Sequence, residues 1–391
     1  MKKVISTEKV PIKLWLEDIE DGALEQAKNL ANLPFVFKHI AIMPDSHQGY
    51  GMPIGAILPA SGYVVPNAVG VDIGCGMCSV KTNLTEIDTT DLKKIMSIIR
   101  KTVPIGFGHQ KEKQELVYTT DFEITGIVRA QLDKGLTQVG TLGGGNHFIE
   151  IQKGSDGYIW IMIHSGSRNV GFTTANHYAK AARELNEKYF SEINSSWDLD
   201  FLPLVDQLGN NYLQDMNFCI WFAYQNRRLM LDRIQEAFTE VLQNVVFEKD
   251  INLPHNYATM ENHFGKNVMI HRKGATSAKE GEIGIIPGSQ GSKSYIVEGK
   301  GNEESFKSCS HGAGRRMGRM QARRELDFEA ERKKLDDMGV IHSIRGKGDL
   351  DEAPSAYKDI DTVIANQEDL IKVIVELTPL AVIKSSDGSV D

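Results

Sequence analysis

The chain has 391 residues, 41% hydrophobic and 25% charged, with a formal net charge of −8 and four cysteines. That length can bury a substantial core, the acidic balance excludes a protein that coats nucleic acid non-specifically while leaving room for a local basic groove, and so few cysteines exclude a disulfide scaffold. No apolar run reaches the ~18 residues of a membrane-spanning helix and MKKVISTEKVPIKLWLED has no apolar signal core, so a reducing cytoplasm is the expected setting.

In chain order, residues 14–32 place acids and apolar residues at helical spacing and stop at Pro34, and VFKHIAIMP (36–44) reads as a strand. Residues 51–80 are glycine-punctuated β structure. A helix is expected over 88–102, with Thr89 or Thr90 as N-cap, and another over 120–136. FIEIQ (148–152) and YIWIMIH (158–164) bracket the turn KGSDG, a hairpin signal. Helices follow over 173–194 and 211–246, the second a long amphipathic run. Residues 283–298 return to strand character, a basic-acidic helix is expected over 312–338, a last helix over 361–377, and a last strand over 379–384. Strands and helices mix without a βαβ period, and metal-type residues come from both halves. The expectation is one mixed α/β domain over 1–391, not two modules.

Five segments set metal-binding side chains beside glycine: VGVDIGCGM (69–77), GGGNHFIE (143–150), IHSGSRN (163–169), HNYA (255–258) and SHGAGR (310–315). Asp72, Cys75, His147, His164 and His255 supply one carboxylate, one thiol and three imidazoles, a set that suits two borderline divalent ions sharing a thiolate. Singly, each has an ordinary reading. A buried histidine is usually a satisfied core residue, Asp72 can cap a turn, and Cys75-Gly-Met-Cys78 can be half of a zinc ribbon, although no second C-x-x-C accompanies it. Strand alternation in the hairpin can place His147 and His164 on one face near its base. Asp45 and His47, in MPDSHQGYGMPIG (43–55), stand between a functional and a turn-stabilising role. His39, His109, His177, His263 and His342 read as structural or surface residues.

Four segments suit phosphate. GTLGGGN (140–146) exposes backbone N–H groups but is not a Walker A loop; HSGSRN offers Ser165, Ser167 and Arg168; HRKGATSA (271–278) offers Arg272 and Lys273; PGSQGSKSY (287–295) offers Ser289, Ser292 and Ser294. In SCSHGAGRRMGR (308–319), Ser310 can cap a helix whose first turn holds His311. The helix dipole there keeps the ring neutral and able to attack phosphorus; a further metal ligand and a capping residue are the other readings of His311. Arg315, Arg316, Arg319, Arg323 and Arg324 are spaced so that several share a face that can bind an RNA backbone, with Glu325, Asp327, Glu329 and Glu331 neutralising its far end.

The motifs MPDSHQGYG, VGVDIGCGM, GTLGGGNHFIE, HSGSRN, HNYA, HRKGAT, PGSxGSKSY, SHGAGRRMGR and EAPSAYKDID resemble the RtcB family of GTP-dependent RNA ligases, from about residue 40 to Lys384. The resemblance implies a single large domain with central β-sheets flanked by helices. It implies joining of RNA 2′,3′-cyclic-phosphate or 3′-phosphate ends to 5′-hydroxyl ends, in RNA repair or tRNA splicing, with GTP and two Mn²⁺ ions, other divalent metals being acceptable. By resemblance, Asp72, Cys75 and His147 hold one ion, and Cys75, His164 and His255 the other. His311 becomes guanylylated. Asn146, Phe148, Glu150, Asn256, Lys273, Pro287, Gly288, Ser289, Ser294, Ala313, Gly314, Tyr357 and Lys384 match nucleotide-pocket positions, with Glu150 reading the guanine N1–H and N2–H₂ edge, and Arg168 matches an RNA-phosphate contact. A monomer is compatible with the family. The chain departs from the usual pattern at PDSHQGYGMPIG, at Gln290, at Gly318 and in the tail SSDGSVD after Lys384, which suggests a divergent subgroup. Two other readings are a guanylyltransferase or end-processing enzyme that ligates poorly, and a GTP- and metal-binding regulator without turnover in an RNA repair complex.

Overall fold

Two large sheets carry the fold in this computed structural model, which describes residues 1–116 and 122–385. The first has six strands in the spatial order Lys3–Ile5, Ile12–Leu14, Ile40–His47, Ile54–Ala60, Lys266–Lys273, Asn256–His263. The second has seven, ordered Ile251–Pro254, Gly76–Lys81, Ile159–Ser165, Phe148–Gly154, Ile371–Ile383, Ser294–Gly299, Ile283–Ile286. Neighbours pair antiparallel, except that Ile12–Leu14 runs parallel to Ile40–His47. The architecture is mixed α/β, with helices flanking central sheets.

The strand Ile159–Ser165 is buried at every position, so it must be covered on both faces. Ile149, Ile151, Ile161 and Ile163 pack against Leu92, Ile95 and Ile99 of the helix Thr89–Thr102 and against Met230, Leu231 and Phe238 of the helix Gln207–Val241. Their strand neighbours Phe148, Trp160 and Met162 point the other way and meet Ile285, Ile296 and Leu377. The sheet therefore curls, bringing its edge strands Ile251–Pro254 and Ile283–Ile286 into contact. Each large apolar side chain buried here contributes about 1.5–3 kcal/mol.

The two sheets share one joint. Ile251–Pro254 belongs to the seven-stranded sheet and Asn256–His263 to the six-stranded one, so the chain changes sheets at His255. Backbone bonds of 2.8 Å, Gly74 N–H to Asn256 O and His255 N–H to Cys75 O, fix that joint against the turn before Gly76–Lys81. Among the described residues no helix is long and apolar enough to cross a membrane.

Several sequence expectations change. Over 14–32 the helix is only Asp21–Ala31, and Ile12–Leu14 is strand. The helix over 88–102 is capped not by Thr89 or Thr90 but by Asp88, whose carboxylate accepts from Thr90 N–H at 2.7 Å. The expected helix 120–136 begins at Gly126, and residues 120–121 lie outside the described part. The helix over 173–194 runs Arg168–Lys188, and 283–298 is two strands around the PGSQGSK turn. No continuous helix covers 312–338: HGAGRRMG (311–318) is a loop, followed by Arg319–Glu325 and Phe328–Asp337. The last helix is only Ile360–Ala365, and 371–383 is a single strand that takes in PLAVI.

Candidate metal centre and nucleophile

Asp72 and Cys75 sit on the turn between the short helix Pro66–Val69 and the strand Gly76–Lys81. Gly74 takes φ +75°, and a Cβ there would lie 2.8 Å from Ile220 Cα in the long helix, so no larger residue fits this turn. Ladder pairing brings the other donors to it. Met77 faces His164, and His164 faces Phe148, the residue after His147. His255 arrives from the joint between the sheets.

The donor atoms converge. Cys75 Sγ lies 3.5 Å from His147 Nε2 and 3.3 Å from His164 Nε2. His164 Nε2 lies 3.3 Å from His255 Nε2, and His147 Nε2 lies 3.1 Å from Asp72 Oδ2. The atoms of Cys75, His147 and His164 all fall within 4.8 Å of one another, and all three residues are buried. All five ligands proposed from sequence thus meet at one place.

The residues fit a divalent cation on grounds of their own. His147 Nδ1 faces Leu142 O at 3.0 Å and His164 Nδ1 faces Asn146 O at 3.2 Å. A carbonyl only accepts, so His164 Nδ1 carries the proton and its Nε2 presents a lone pair to the Cys75 thiol and the His255 ring, while His147 Nδ1 stands between Leu142 O and the Arg168 guanidinium, 3.4 Å away. One carboxylate, one thiol and three imidazoles with donor atoms 3.1–3.5 Å apart in the interior form a set that a divalent cation can bind once the thiol gives up its proton. Burial and the neighbouring imidazoles hold His164 and His255 well below the usual histidine range, so both rings are neutral donors at pH 7. Burial works to raise Asp72, but the hydrogen bond and charge of His147, with Arg168, win and keep it ionised.

His311 stands beside this centre, its ring centroid 4.7 Å from that of His255. It lies in no helix, contrary to the sequence reading. It follows the strand Ser308–Ser310, and the next helix starts at Arg319, so neither a Ser310 cap nor a helix dipole acts on the ring. A buried carboxylate does the positioning instead. Asp45 Oδ2 accepts from His311 Nδ1 at 2.7 Å, from His311 N–H at 3.1 Å and from Gly312 N–H at 3.3 Å. Burial pushes Asp45 upward, but contact with His311 prevails and its acidity is raised. With Nδ1–H committed to Asp45, His311 Nε2 is the free nucleophilic nitrogen. Gly314, at φ +74°, lets the loop pass against Asp45 O, where a Cβ would overlap.

The centre and His311 open on a cleft of about 1140 Å³. Its walls include Asn146, Phe148, Asn256, Lys273, Pro287 and Gly288, and on the other side Ala313, Gly314, Tyr357, Lys384 and Arg168. Glu150, Ser289 and Ser294 are buried and do not line it. Ser289 and Ser294 stabilise the turn, Ser289 N–H donating to Ser292 Oγ at 2.7 Å and Gly288 N–H to Ser294 Oγ at 3.1 Å. Burial pushes Glu150 up to about 8. Burial also lowers Lys273 to about 7, its Nζ held on the Tyr50 and Asn67 carbonyls. Arg272, offered from sequence for phosphate, is fully buried and bonded to Glu261 at 2.7 Å, hence structural.

The arginine stripe is corrected too. Arg319 and Arg323 each bond Asp351 at 3.0 Å, and Arg315 bonds Glu352 at 3.2 Å. These three turn inward, while Arg316 is exposed and Arg324 pairs with Glu325 at the surface. Glu352 also pairs with Lys384 and accepts from Tyr357 OH at 2.5 Å. Gln290 is buried, donates to Glu352 O at 2.9 Å and accepts from Ser343 N–H at 3.3 Å, an inter-loop tie. Gly318 is the N-cap of Arg319–Glu325, and residues 386–391 of the tail lie outside the described part.

One supporting pair escaped the sequence reading. Asn226 and Arg227, both fully buried on the long helix, lie beneath the three ligand loops. Asn226 Oδ1 accepts from Gly140 N–H at 2.7 Å, and its amide donates to Ser165 Oγ and Gly166 O, each at 3.0 Å. Ser165 Oγ then donates to Leu142 O at 2.8 Å, the carbonyl that holds His147. Arg227 Nη1 donates to Gly74 O and Ser165 O, each at 2.9 Å. The signal was present: both continue the apolar stripe Cys219, Phe222, Ala223, Met230, Leu231.

Comparison with known proteins shows the family. The family described as tRNA-splicing ligase RtcB matches residues 26–125 and 119–385. The chain is 38% identical to the RNA-splicing ligase RtcB of Escherichia coli strain K12, over 98% of this chain and 99% of that protein. It is 32% identical to the tRNA-splicing ligase RtcB of Nanoarchaeum equitans, over 96% and 95% of the two chains. Similarity to the Thermococcus kodakarensis tRNA-splicing ligase RtcB is 28% over 96% and 95%. The chain belongs to the RtcB family and is an RNA ligase.

Proposed function

We propose that the chain joins RNA 3′-phosphate or 2′,3′-cyclic-phosphate ends to 5′-hydroxyl ends with GTP and two divalent ions, Mn²⁺ by resemblance. The whole chain, 1–391, acts as one unit in the cytoplasm, and a monomer is compatible with this reading. The observation that carries the reading is the pairing of His311 with buried Asp45 beside the Cys75–His147–His164–His255 cluster in one cleft.

Asp72, Cys75 and His147 would hold one ion, and Cys75, His164 and His255 the other. Bound there, the ions would polarise phosphoryl oxygens and acidify hydroxyl nucleophiles. His311 Nε2 attacks the α-phosphorus of GTP; a P–N bond forms and the P–O bond to pyrophosphate breaks. Asp45 keeps the proton on Nδ1 and balances the charge that the ring gains. A cyclic end is first opened by water to a 3′-phosphate. That 3′-phosphate takes GMP from His311, which returns to neutral imidazole, and the 5′-hydroxyl then attacks the activated phosphate and expels GMP. Asn146, Phe148, Asn256, Lys273, Pro287, Gly288, Ala313, Gly314, Tyr357 and Lys384 would surround the nucleotide, with Ser289 and Ser294 shaping the loop behind Gly288. Glu150 would read guanine once the pocket closes on it, and Arg168 would hold RNA phosphate.

Incubation with α-labelled GTP and Mn²⁺ tests this. Wild type gains an acid-labile label, His311→Ala gains none, and Asp45→Asn labels up to about ten-thousandfold more slowly, as when a tautomer-holding carboxylate is neutralised. Equal labelling of His311→Ala overturns the mechanism. A normal label with no sealing of 3′-phosphate and 5′-hydroxyl RNA ends would leave a guanylyltransferase instead.

A further inference from the structure

The cleft, at about 1140 Å³, exceeds the roughly 300–1,000 Å³ that a small ligand occupies. Its lining continues past the metal-type residues and His311 to a flank made by Phe107, His109, Lys134, Asn169 and Phe172. Two large rings there face solvent: Phe107 is 77% exposed and Phe172 47%. Exposed phenylalanines beside the cleft call for an apolar or aromatic partner.

Both rings are tied to the reaction centre. Phe107 lies on a loop whose neighbours bond the segment that carries His147: Gly106 N–H donates to Gly143 O at 2.8 Å, and Leu142 N–H donates to Pro104 O at 2.9 Å. Phe172 lies on the helix Arg168–Lys188, whose first residue Arg168 lines the same cleft and donates from Nε to Thr141 Oγ1 at 3.3 Å. Asn169 Nδ2 donates to Gln131 Oε1 at 3.0 Å and locks that helix to Gly126–Gln138, which carries Lys134. Rings and cations thus interleave along one wall, the arrangement that holds a single nucleic-acid strand by base stacking and phosphate attraction. His109, read from sequence as structural or surface, borders the same wall and bonds Gln138 at 3.3 Å.

We propose that Phe107 and Phe172 are a stacking platform for the bases of the RNA end next to the junction, with Lys134 and Arg168 on its phosphates. Every base has a π face, so the platform grips RNA ends without selecting sequence. The inference rests on the ligase reading above.

The test uses the full-length enzyme, Phe107→Ala, Phe172→Ala, the double variant and Phe172→Trp. The substrate is a pair of RNA oligonucleotides bearing a 3′-phosphate and a 5′-hydroxyl, with a second pair abasic at the nucleotides flanking the junction. His311 labelling by GTP should match wild type in every variant. The KM for RNA should rise about fivefold to a hundredfold per ring lost, the range for one base–aromatic stack, and Phe172→Trp should restore it. With abasic RNA, the alanine variants should match wild type. A double variant that labels normally and seals RNA with wild-type KM overturns the platform. So does a KM penalty that persists on abasic RNA, or a parallel loss of labelling. Absence of label in wild type overturns the ligase reading itself, and the platform with it.

Discussion

Glu150 is a carboxyl group that burial has made a weak acid. It is pushed up to about 8, although the Gln152 amide, 3.1 Å away, and the Lys384 charge pull the other way. At pH 7 it is mostly protonated in the free protein, whereas guanine N1–H and N2–H₂ call for a carboxylate acceptor. If Glu150 reads that edge, GTP binding expels a proton. The sign follows: below pH 8 GTP affinity rises with pH, by up to about tenfold per unit, and above 8 it levels off. Titration calorimetry from pH 6 to 9 should show that slope, and Glu150→Gln should flatten it. A flat wild-type profile removes Glu150 from guanine recognition. His311 shows the same dependence of role on neighbours: its reactive nitrogen is chosen by Asp45, 266 positions away in the chain.

At the scale of elements, the long helix Gln207–Val241 does more than fill the core. Asn226→Ala would strand Gly140 N–H, Ser165 Oγ and Gly166 O in the interior and loosen the carbonyl that orients His147. We expect a loss of about 2–5 kcal/mol of stability and a weakening of divalent-metal binding by about tenfold to a hundredfold. Denaturant unfolding and chelator competition read the two effects separately. Phe222→Leu, on the same helix but in the apolar core, should destabilise and leave metal affinity unchanged; equal weakening by both would reduce Asn226 to a packing residue. This helix was legible because a 3.6-residue stripe runs its whole length, and the hairpin was legible from its alternation and turn. The helix expected over 312–338 was not there, because Ala, Arg, Met and Glu favour helix while Gly312, Gly314 and Gly318 break it. The apparent stripe of Arg315, Arg319 and Arg323 is explained by ion pairs to Asp351 and Glu352, which no local pattern encodes. Over 371–377, buried and exposed positions alternate, a strand period that the expected helix overrode. The five metal-type residues were legible as a set because each lies beside glycine or a small polar residue. Asp45 was not, because a carboxylate on a strand declares its role only when its partner is in place.

Across the whole molecule, the candidate metal ligands fasten two sheets together. His164 comes from the seven-stranded sheet, Cys75 and His147 from the turn and loop entering it, and His255 from the joint where the chain passes to the six-stranded sheet. Their donor atoms lie 3.1–3.5 Å from one another across that joint. A cation held there binds the folded chain alone, because the unfolded chain scatters ligands that are 180 positions apart in sequence, from Cys75 to His255. Folding is then linked to metal, by about 2.7 kcal/mol at a free ion concentration 100 times the dissociation constant. Thermal unfolding of Mn²⁺-loaded protein should therefore shift down by several degrees on adding a chelator, with both sheets losing structure in the same transition. Cys75→Ala, which removes the thiolate shared by both proposed ions, should unfold near the chelated wild-type temperature and respond little to chelator or added Mn²⁺. A wild-type melting temperature indifferent to chelator, in protein shown by elemental analysis to have carried metal, would separate the ligand cluster from the stability of the joint. It would leave the two sheets held by the backbone bonds of Gly74 and His255 and by the apolar packing of Ile57, Val268 and Ile270 against Ile286, Tyr295 and Val297.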